Sequence, residues 1–341
     1  MTTVKPGVHL CGSVLLADAE TVFRAIATAL DGRVRRIPDG ERDDCVVWQL
    51  PKLVANPDLQ LSPPPSPEYG PSLRVRPKPG VDPASVTFPL LGYAAAAFDS
   101  WRVFSRLRAD GVIAPDVRFQ VSLPTPMAVI AAFVGTHHAE LEAAYEARLL
   151  AELDEILAVI PPADLAVQWD TAVEFAVFDG VFPAWFGTDY PSRLAETVTR
   201  LVRLGAAVPS DVELGYHLCY GDFEHKHFVE PADTSRLAAV AGQVAAGLGR
   251  RLDWVHMPVP RDRTDYAYFA PLADLSLPAE TALFLGLVHA TDGLDGARAR
   301  IDAARTTVKT FGIATECGMG RRQAEQIPGL LDLHAAVADL L

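Results

Sequence analysis

Short apolar or β-branched runs recur eight times along the chain, and segments with helical periodicity lie between many of them. The runs cover residues 8–14, 33–40, 117–124, 165–170, 212–219, 252–259, 282–290 and 311–318. Apolar residues repeat at intervals of three and four in residues 19–30, 139–160, 191–205 and 234–249, which predicts helices there. Strands that alternate with helices pair in parallel through crossovers, so the pattern predicts an α/β fold.

Eight such units favour a single (β/α)8 TIM barrel that occupies residues 1–341 as one domain. An open, doubly wound sheet is the alternative that the sequence leaves open. Residues 56–80 interrupt the second unit and are rich in proline and serine. We expect this Pro-rich excursion after strand two to be an ordered cover over the barrel mouth or a flexible lid.

The composition limits the classes of partner. Half of the 341 residues are hydrophobic, which is enough for a large core, and the formal net charge of −13 argues against nucleic-acid binding. Neither an opening signal-peptide pattern nor an apolar run of ~18 residues is visible, so we expect a cytoplasmic protein without a membrane span. Four cysteines are too few for a disulfide scaffold.

In a barrel of this type the reacting groups lie at the carboxyl ends of the strands. Residues that can carry chemistry follow the predicted strands at those ends: Ser13, Asp39, Glu41, Asp170, His217, Cys219, His256, His289, Asp292 and Cys317. Polar strand ends are common in any barrel, so the types of residue are more informative than their number.

His217 and Cys219 stand two residues apart at the end of the fifth run, so their side chains point to one face. Cys317 ends the eighth run, and closure of a barrel would bring it to the same place. Histidine and cysteine are preferred zinc ligands, and a catalytic zinc site has three protein ligands and an open position. The sequence therefore predicts a Zn²⁺ site of His217, Cys219 and Cys317, against the alternative of a histidine in a polar network and ordinary core thiols.

Two thiolates and a neutral histidine nearly cancel the charge of Zn²⁺, so such a site favours a soft ligand over polarised water. A thiol that enters the open position loses its proton and stays nucleophilic. The predicted chemistry is the attack of a zinc-bound thiolate on an alkyl carbon, with a small-molecule thiol and a methyl or alkyl donor as substrates.

The chain resembles the C-terminal catalytic barrel of cobalamin-independent methionine synthase, in the uroporphyrinogen decarboxylase/methionine synthase-like superfamily. The resemblance is carried, in order along nearly the whole chain, by "CGSV", "PDGERDDCV", "VQWD", "HLCYGDF" and "TECGMGRR". It implies a (β/α)8 barrel, a methyltransferase, and zinc bound by the histidine and two cysteines. By motif, it implies that Ser13, Glu41 and Asp170 contact a homocysteine-like substrate and that folate donates the methyl group.

Two departures leave parts of this interpretation open. The family has a glutamate zinc ligand on the strand after H-x-C, whereas His256 stands near that place here and is the candidate fourth ligand. The resemblance is to the C-terminal barrel alone, so the alkyl donor, the thiol acceptor and the oligomeric state stay open.

Three alternatives follow. The electrophile could be a small molecule other than folate, or His256 could close a structural metal site in a binding module. A metal-free decarboxylase is disfavoured because it gives the histidine and the two cysteines no common role. Of the other candidates, we expect Cys11 and Cys45 to pack as small residues, and His225 and His227 to face solvent in a loop.

Overall fold

The structure is a computed structural model of the chain, and it describes residues 7–41, 48–62, 73–221 and 227–341. Within these ranges seven strands form one parallel sheet and two others form an antiparallel pair. The parallel strands are β1 (Arg36–Pro38), β4 (Arg118–Pro124), β5 (Leu165–Thr171), β6 (Glu213–Leu218), β7 (Trp254–Pro258), β8 (Ala282–Val288) and β9 (Gly312–Thr315). The antiparallel pair consists of β2 (Leu59–Ser62) and β3 (Arg74–Pro77).

Eleven α-helices lie in the same described ranges. They are α1 (Ala19–Ala29), α2 (Gln49–Ala55), α3 (Tyr93–Ala109), α4 (Pro126–Phe133), α5 (His138–Val159), α6 (Glu174–Phe178), α7 (Tyr190–Ala206), α8 (Ser235–Gly247), α9 (Tyr266–Phe269), α10 (Gly293–Arg305) and α11 (Ile327–Ala338). The four helices predicted from periodicity are confirmed as α1, α5, α7 and α8. Among the described helices, none combines the length and the apolar character that a bilayer span requires.

The parallel strands lie side by side in the order in which the chain forms them, from β1 and β4 through to β9. A doubly wound sheet reverses its strand order at a switch point. The described strands show no such reversal, so the open, doubly wound alternative is wrong. The curled parallel sheet with its helices has an α/β architecture consistent with a TIM-like barrel.

Seven of the eight predicted strands are confirmed, and the first, residues 8–14, forms isolated bridges instead. Val8 bridges Val34, just before β1, on one side and Ile313, within β9, on the other, so the segment contacts both edges of the sheet. A continuous ladder fails because Gly12 has a φ of 136°, which turns the backbone out of the extended conformation. The segment therefore lies between the first and last strands without forming a regular strand of its own.

The central strands are buried on both faces, as expected for parallel strands covered by helices. Along β5 only Asp170 is even partly exposed. The helices bury one stripe each: α7 begins with a capping box between Asp189 and Ser192 and buries Leu194 and Leu201 against the sheet. Alternating buried strands and amphipathic helices thus create the core that the sequence pattern predicts.

Side chains fill the interior of the curled sheet near the amino ends of its strands. Ala166, Trp254 and Phe284 form a separate buried cluster there. The guanidinium of Arg36 lies 3.9 Å from the centroid of the Trp254 ring and pairs with Glu213 at 2.6 Å. These residues fill the amino end of the sheet interior.

The described part of the predicted excursion at 56–80 is ordered as the β2–β3 pair. Val75 of this pair bridges Val134, and the amide of Gly135 donates to the Val75 carbonyl at 2.9 Å. Residues 63–72 lie outside the described residues, so a cover or lid at the barrel mouth stays a prediction.

Candidate metal and thiol site

Three of the predicted site residues form a row across neighbouring strands. Asp170 on β5 is the register partner of His217 on β6, which in turn is the register partner of His256 on β7. Register partners on parallel strands project from the same face of a sheet, so the three side chains emerge on one side. Cys219 follows His217 by two residues and continues the same face just beyond the strand end.

The predicted zinc ligands lie together. Nε2 of His217 is 3.6 Å from Sγ of Cys317, and the sulfurs of Cys219 and Cys317 are also 3.6 Å apart. The ligand atoms of these three residues all lie within 4.8 Å of one another. Cys219 and Cys317 are 98 residues apart in the chain, so the fold alone creates this cluster.

These distances fit a tetrahedral zinc ion. Zn–S bonds of ~2.3 Å and Zn–N bonds of ~2.0–2.1 Å place two sulfurs about 3.8 Å apart and a sulfur and a nitrogen about 3.6 Å apart. The pKa of the Cys317 thiol is raised well above its usual value by the neighbouring Cys219 sulfur and by burial. A divalent cation between the sulfurs reverses this effect because it favours the thiolate form.

The turn after β6 fixes the position of Cys219. Its backbone amide donates to Oγ1 of Thr171 at 3.3 Å, and that hydroxyl donates in turn to the His217 carbonyl at 3.1 Å. The amide of Gly221 donates to the Cys219 sulfur at 3.3 Å. These hydrogen bonds hold Cys219 where its sulfur lies 3.6 Å from that of Cys317.

His256 contacts His217 through a hydrogen bond. Their Nδ1 atoms are 2.7 Å apart, whereas two nitrogens on one tetrahedral zinc ion would lie about 3.3 Å apart. Nε2 of His256 lies 3.0 Å from the carbonyl oxygen of Thr315. Burial, reinforced by His217 and His9, holds the pKa of His256 well below its usual value. Both ring nitrogens of His256 are therefore occupied by hydrogen bonds.

Two carboxylates lie beside this cluster. Asp170 accepts a hydrogen bond from Nε2 of Gln168 at 2.8 Å. Burial and then the nearby charge of Glu41 raise the pKa of Asp170 well above its usual value. Glu41 has a φ of 48°, and its carboxylate lies against the backbone of Gly12. A bound cation between the two acids would stabilise both of them in the ionised form.

Ser13 lies beside the loop that carries Cys317. Its Oγ accepts a hydrogen bond from the Gly320 amide at 3.1 Å, and its carbonyl accepts from Met319 at 2.7 Å. The segment 8–14 thereby joins the end of the chain that holds Cys317 to the sheet edge that holds Glu41. The structure thus brings the predicted residues to the carboxyl ends of the strands.

Cys11 was expected to pack as a small residue, but its sulfur also faces the site. It forms a group with ring nitrogens of His217 and His256 whose atoms lie within 4.8 Å of one another. Burial and the nearby Cys317, Asp170 and Glu41 raise the pKa of its thiol. The two-residue spacing of His9 and Cys11, which lie before Gly12, was a signal for this position.

His227 was expected to face solvent, and this expectation is wrong. Its side chain is only 5% exposed and lies between Glu230, at 3.0 Å, and Glu316, at 2.9 Å. Burial lowers the pKa of His227, but the two carboxylates outweigh it and raise the pKa to about 10. His225 and Cys45 lie outside the described residues.

Comparisons with known proteins give structural matches alone: no family model matches the sequence, and no curated protein is significantly similar to it. One similar solved structure is the "Putative Vitamin-B12 Independent Methionine Synthase" from Listeria monocytogenes. It is 12% identical, with a TM-score of 0.54 over 94% of this chain and 86% of that chain. At this identity the match supports a common fold.

A second structure is a B12-independent methionine synthase from Shewanella sp. W3-18-1 in complex with selenomethionine. It is 16% identical to this chain, with a TM-score of 0.48 over 78% of this chain and 68% of that chain. The fold similarity therefore rests on the Listeria protein.

Proposed function

We propose that the protein transfers a methyl or other alkyl group to a thiol substrate at a zinc ion held by His217, Cys219 and Cys317. The observation that carries the proposal is the position of the Cys317 sulfur, which lies 3.6 Å from both the Cys219 sulfur and Nε2 of His217, with all three atoms within 4.8 Å of one another. These distances suit a tetrahedral ion. The fold supports it, because the cluster lies at the carboxyl ends of the strands, where barrel enzymes place their chemistry.

The fold is taken as a (β/α)8 barrel in which residues 8–14 stand in the place of the first strand. Their bridges to both sides of the seven-stranded sheet support this assignment. The similar Listeria structure carries the description "Putative Vitamin-B12 Independent Methionine Synthase", which agrees with alkyl transfer to a thiol. Residues 1–341 would then form one catalytic domain.

The ligand set determines which chemistry the site favours. A zinc ion with two thiolates and a neutral imidazole has almost no net charge, and when bound it would keep an incoming thiol deprotonated. In the reaction a sulfur–carbon bond forms, the bond between the alkyl carbon and the donor breaks, and the donor keeps that electron pair. The thiol proton leaves to solvent or to the departing donor group.

Asp170, Glu41 and Ser13 are proposed to hold the thiol substrate. Asp170 and Glu41 are close enough that the charge of Glu41 raises the pKa of Asp170, so a substrate ammonium group would be attracted to them. Ser13, anchored beside the Cys317 loop, would contact a substrate carboxylate. An amino-acid thiol such as homocysteine carries a thiol, an ammonium group and a carboxylate.

The competing proposal of a closed structural site needs His256 as a fourth ligand. In that case one of its ring nitrogens must leave its present partner, either His217 or Thr315. The arrangement of the side chains favours an open fourth position. An alkyl donor other than folate is compatible with the same thiol site, so experiments must identify the class of alkyl donor.

Metal analysis of purified variants tests the proposal. We expect about one zinc per chain, since the three residues form one tetrahedral set. Cys219→Ala and Cys317→Ala should each lose most of this zinc. Cys11→Ala is the matched control: its sulfur faces the same site but is not one of the three proposed ligands, so this variant should keep the zinc. Full zinc content in both ligand variants would contradict the proposed site.

A further inference from the structure

We propose that His256 is a positioning residue that fixes the tautomer of His217, so that the lone pair of His217 Nε2 faces the two cysteine sulfurs. The inference deepens the proposed function and rests on its metal site. It assigns His256 a different role from that of a fourth metal ligand. The observation that supports this inference is a line of polar groups. It runs from the Thr315 carbonyl through the imidazole rings of His256 and His217 to Cys317.

The contact with Thr315 determines which ring nitrogen of His256 carries a hydrogen. A carbonyl oxygen only accepts hydrogen bonds, so His256 Nε2, 3.0 Å away, must carry the hydrogen. His256 is 0% exposed, and burial favours the neutral ring. A neutral imidazole with hydrogen on Nε2 has its lone pair on Nδ1.

The contact between the two rings determines which ring nitrogen of His217 carries a hydrogen. The Nδ1 atoms are 2.7 Å apart, so one hydrogen lies between them, and His256 Nδ1 is the acceptor. His217 must therefore carry its hydrogen on Nδ1. Its Nε2 is left with a lone pair that can accept from the Cys317 thiol, whose Sγ lies 3.6 Å away.

The backbone holds the line in place. His217 and His256 are register partners on β6 and β7, so the two rings stand side by side on one face. The rings are inclined by 40° with centroids 4.7 Å apart, which suits an edge-on hydrogen bond. Thr315 ends β9, the strand whose continuation carries Cys317, so the same segment holds both ends of the line.

This arrangement has a consequence for metal binding. A histidine ligand whose second nitrogen is held by a hydrogen bond is oriented and made more basic, and loss of such a partner costs about 10–100-fold in metal affinity. His256 would supply that partner while remaining off the metal. The fourth position then stays open for the substrate thiol.

Two substitutions separate the positioning role from a structural one. His256→Leu removes the acceptor while keeping an apolar side chain of moderate size. His256→Asn places an amide oxygen near the present position of Nδ1, so it retains an acceptor for His217 while losing the contact with Thr315. The readouts are the ¹⁵N shifts of His217 in metal-free, histidine-labelled protein and the metal affinity from competition with a chelator.

We expect hydrogen on Nδ1 of His217 in the wild type and in His256→Asn, and loss of this preference in His256→Leu. Metal affinity should fall about 10–100-fold in His256→Leu and recover in His256→Asn. An unchanged tautomer and affinity in His256→Leu would overturn the inference. Equal loss of affinity in both variants, with the tautomer intact, would also overturn it and indicate a direct ligand.

The failure of the proposed function is a separate outcome. If the wild-type protein bound no metal, the zinc site would be wrong, yet the ¹⁵N shifts of the metal-free protein would still report the tautomer of His217. Hydrogen on Nε2 of His217 in that protein would overturn the positioning role by itself.

Discussion

Gly12 shows how a single residue shapes the candidate site. A β-carbon at this position would lie 2.1 Å from Oε1 of Glu41 and 3.1 Å from Oγ of Ser122. The residue also has a φ of 136°, which a side chain would strain. Glycine is therefore required for the Glu41 carboxylate to lie against the backbone of residues 8–14.

We predict that Gly12→Ala displaces Glu41 and lowers the free energy of unfolding by about 3 kcal/mol, from backbone strain and overpacking together. Gly32→Ala is the control, since Gly32 has a φ of 67° and a β-carbon there would meet no described atom within 4 Å. It should cost about 1 kcal/mol from strain alone. Denaturant unfolding of both variants measures the difference, and equal losses would contradict the close approach of Glu41.

Local patterns account for part of the site, and contacts between distant segments account for the rest. The spacing of two residues in the sequence correctly predicted that His217 and Cys219 lie on one face. The contact between Thr315 and His256 was not visible in the sequence, because it joins β9 to β7, which are two places apart in the sheet. The burial of His227 likewise depends on Glu316, which belongs to a distant loop.

At the scale of elements, α11 carries a buried histidine away from the metal cluster. Nδ1 of His334 donates to the carbonyl of Leu330 at 2.7 Å, one helical turn earlier, and the side chain is 0% exposed. Burial lowers the pKa of His334 to about 4. The folded protein thus binds this proton less readily than the unfolded chain, whose histidine pKa is ~6.5.

The sign of the pH effect follows from this difference. As pH falls below ~6.5 the unfolded state takes up the proton first, so stability is greatest above that pH and falls toward pH ~4. We predict a loss of about 2–3 kcal/mol at pH 4.5 relative to pH 7.5 from His334. His334→Gln keeps a donor for Leu330 without titrating, so the difference between the two unfolding curves isolates this contribution. Parallel pH dependences in both proteins would contradict the prediction.

Elements differ in how well the sequence predicts them. The strands β4 to β8 and the four predicted helices, α1, α5, α7 and α8, follow from the apolar periodicity of the sequence, because burial determines their residue types. The pair β2–β3 was missed because its two four-residue strands lie in a proline-rich segment with weak alternation. The segment 8–14 has the alternation of a strand, but Gly12 interrupts its ladder.

At the scale of the whole molecule, the curl of the sheet is what creates the candidate site. The parallel strands lie in chain order, so β6 and β9 are three places apart in the sheet. Even so, the sulfurs that follow these two strands lie 3.6 Å apart. An isolated pair of neighbouring strands could not form this cluster, which explains why its residues are spread over 100 positions of the chain.

The central claim is that this cluster binds a metal ion and leaves one position for a thiolate. Cobalt-substituted protein tests it directly, because a sulfur ligand adds a charge-transfer band to the absorption spectrum. We predict that this band grows when homocysteine or another thiol substrate is added, and that Cys11→Ala retains the response. If homocysteine, cysteine, glutathione and simple thiols all leave the spectrum unchanged while cobalt stays bound, the open thiol site is contradicted.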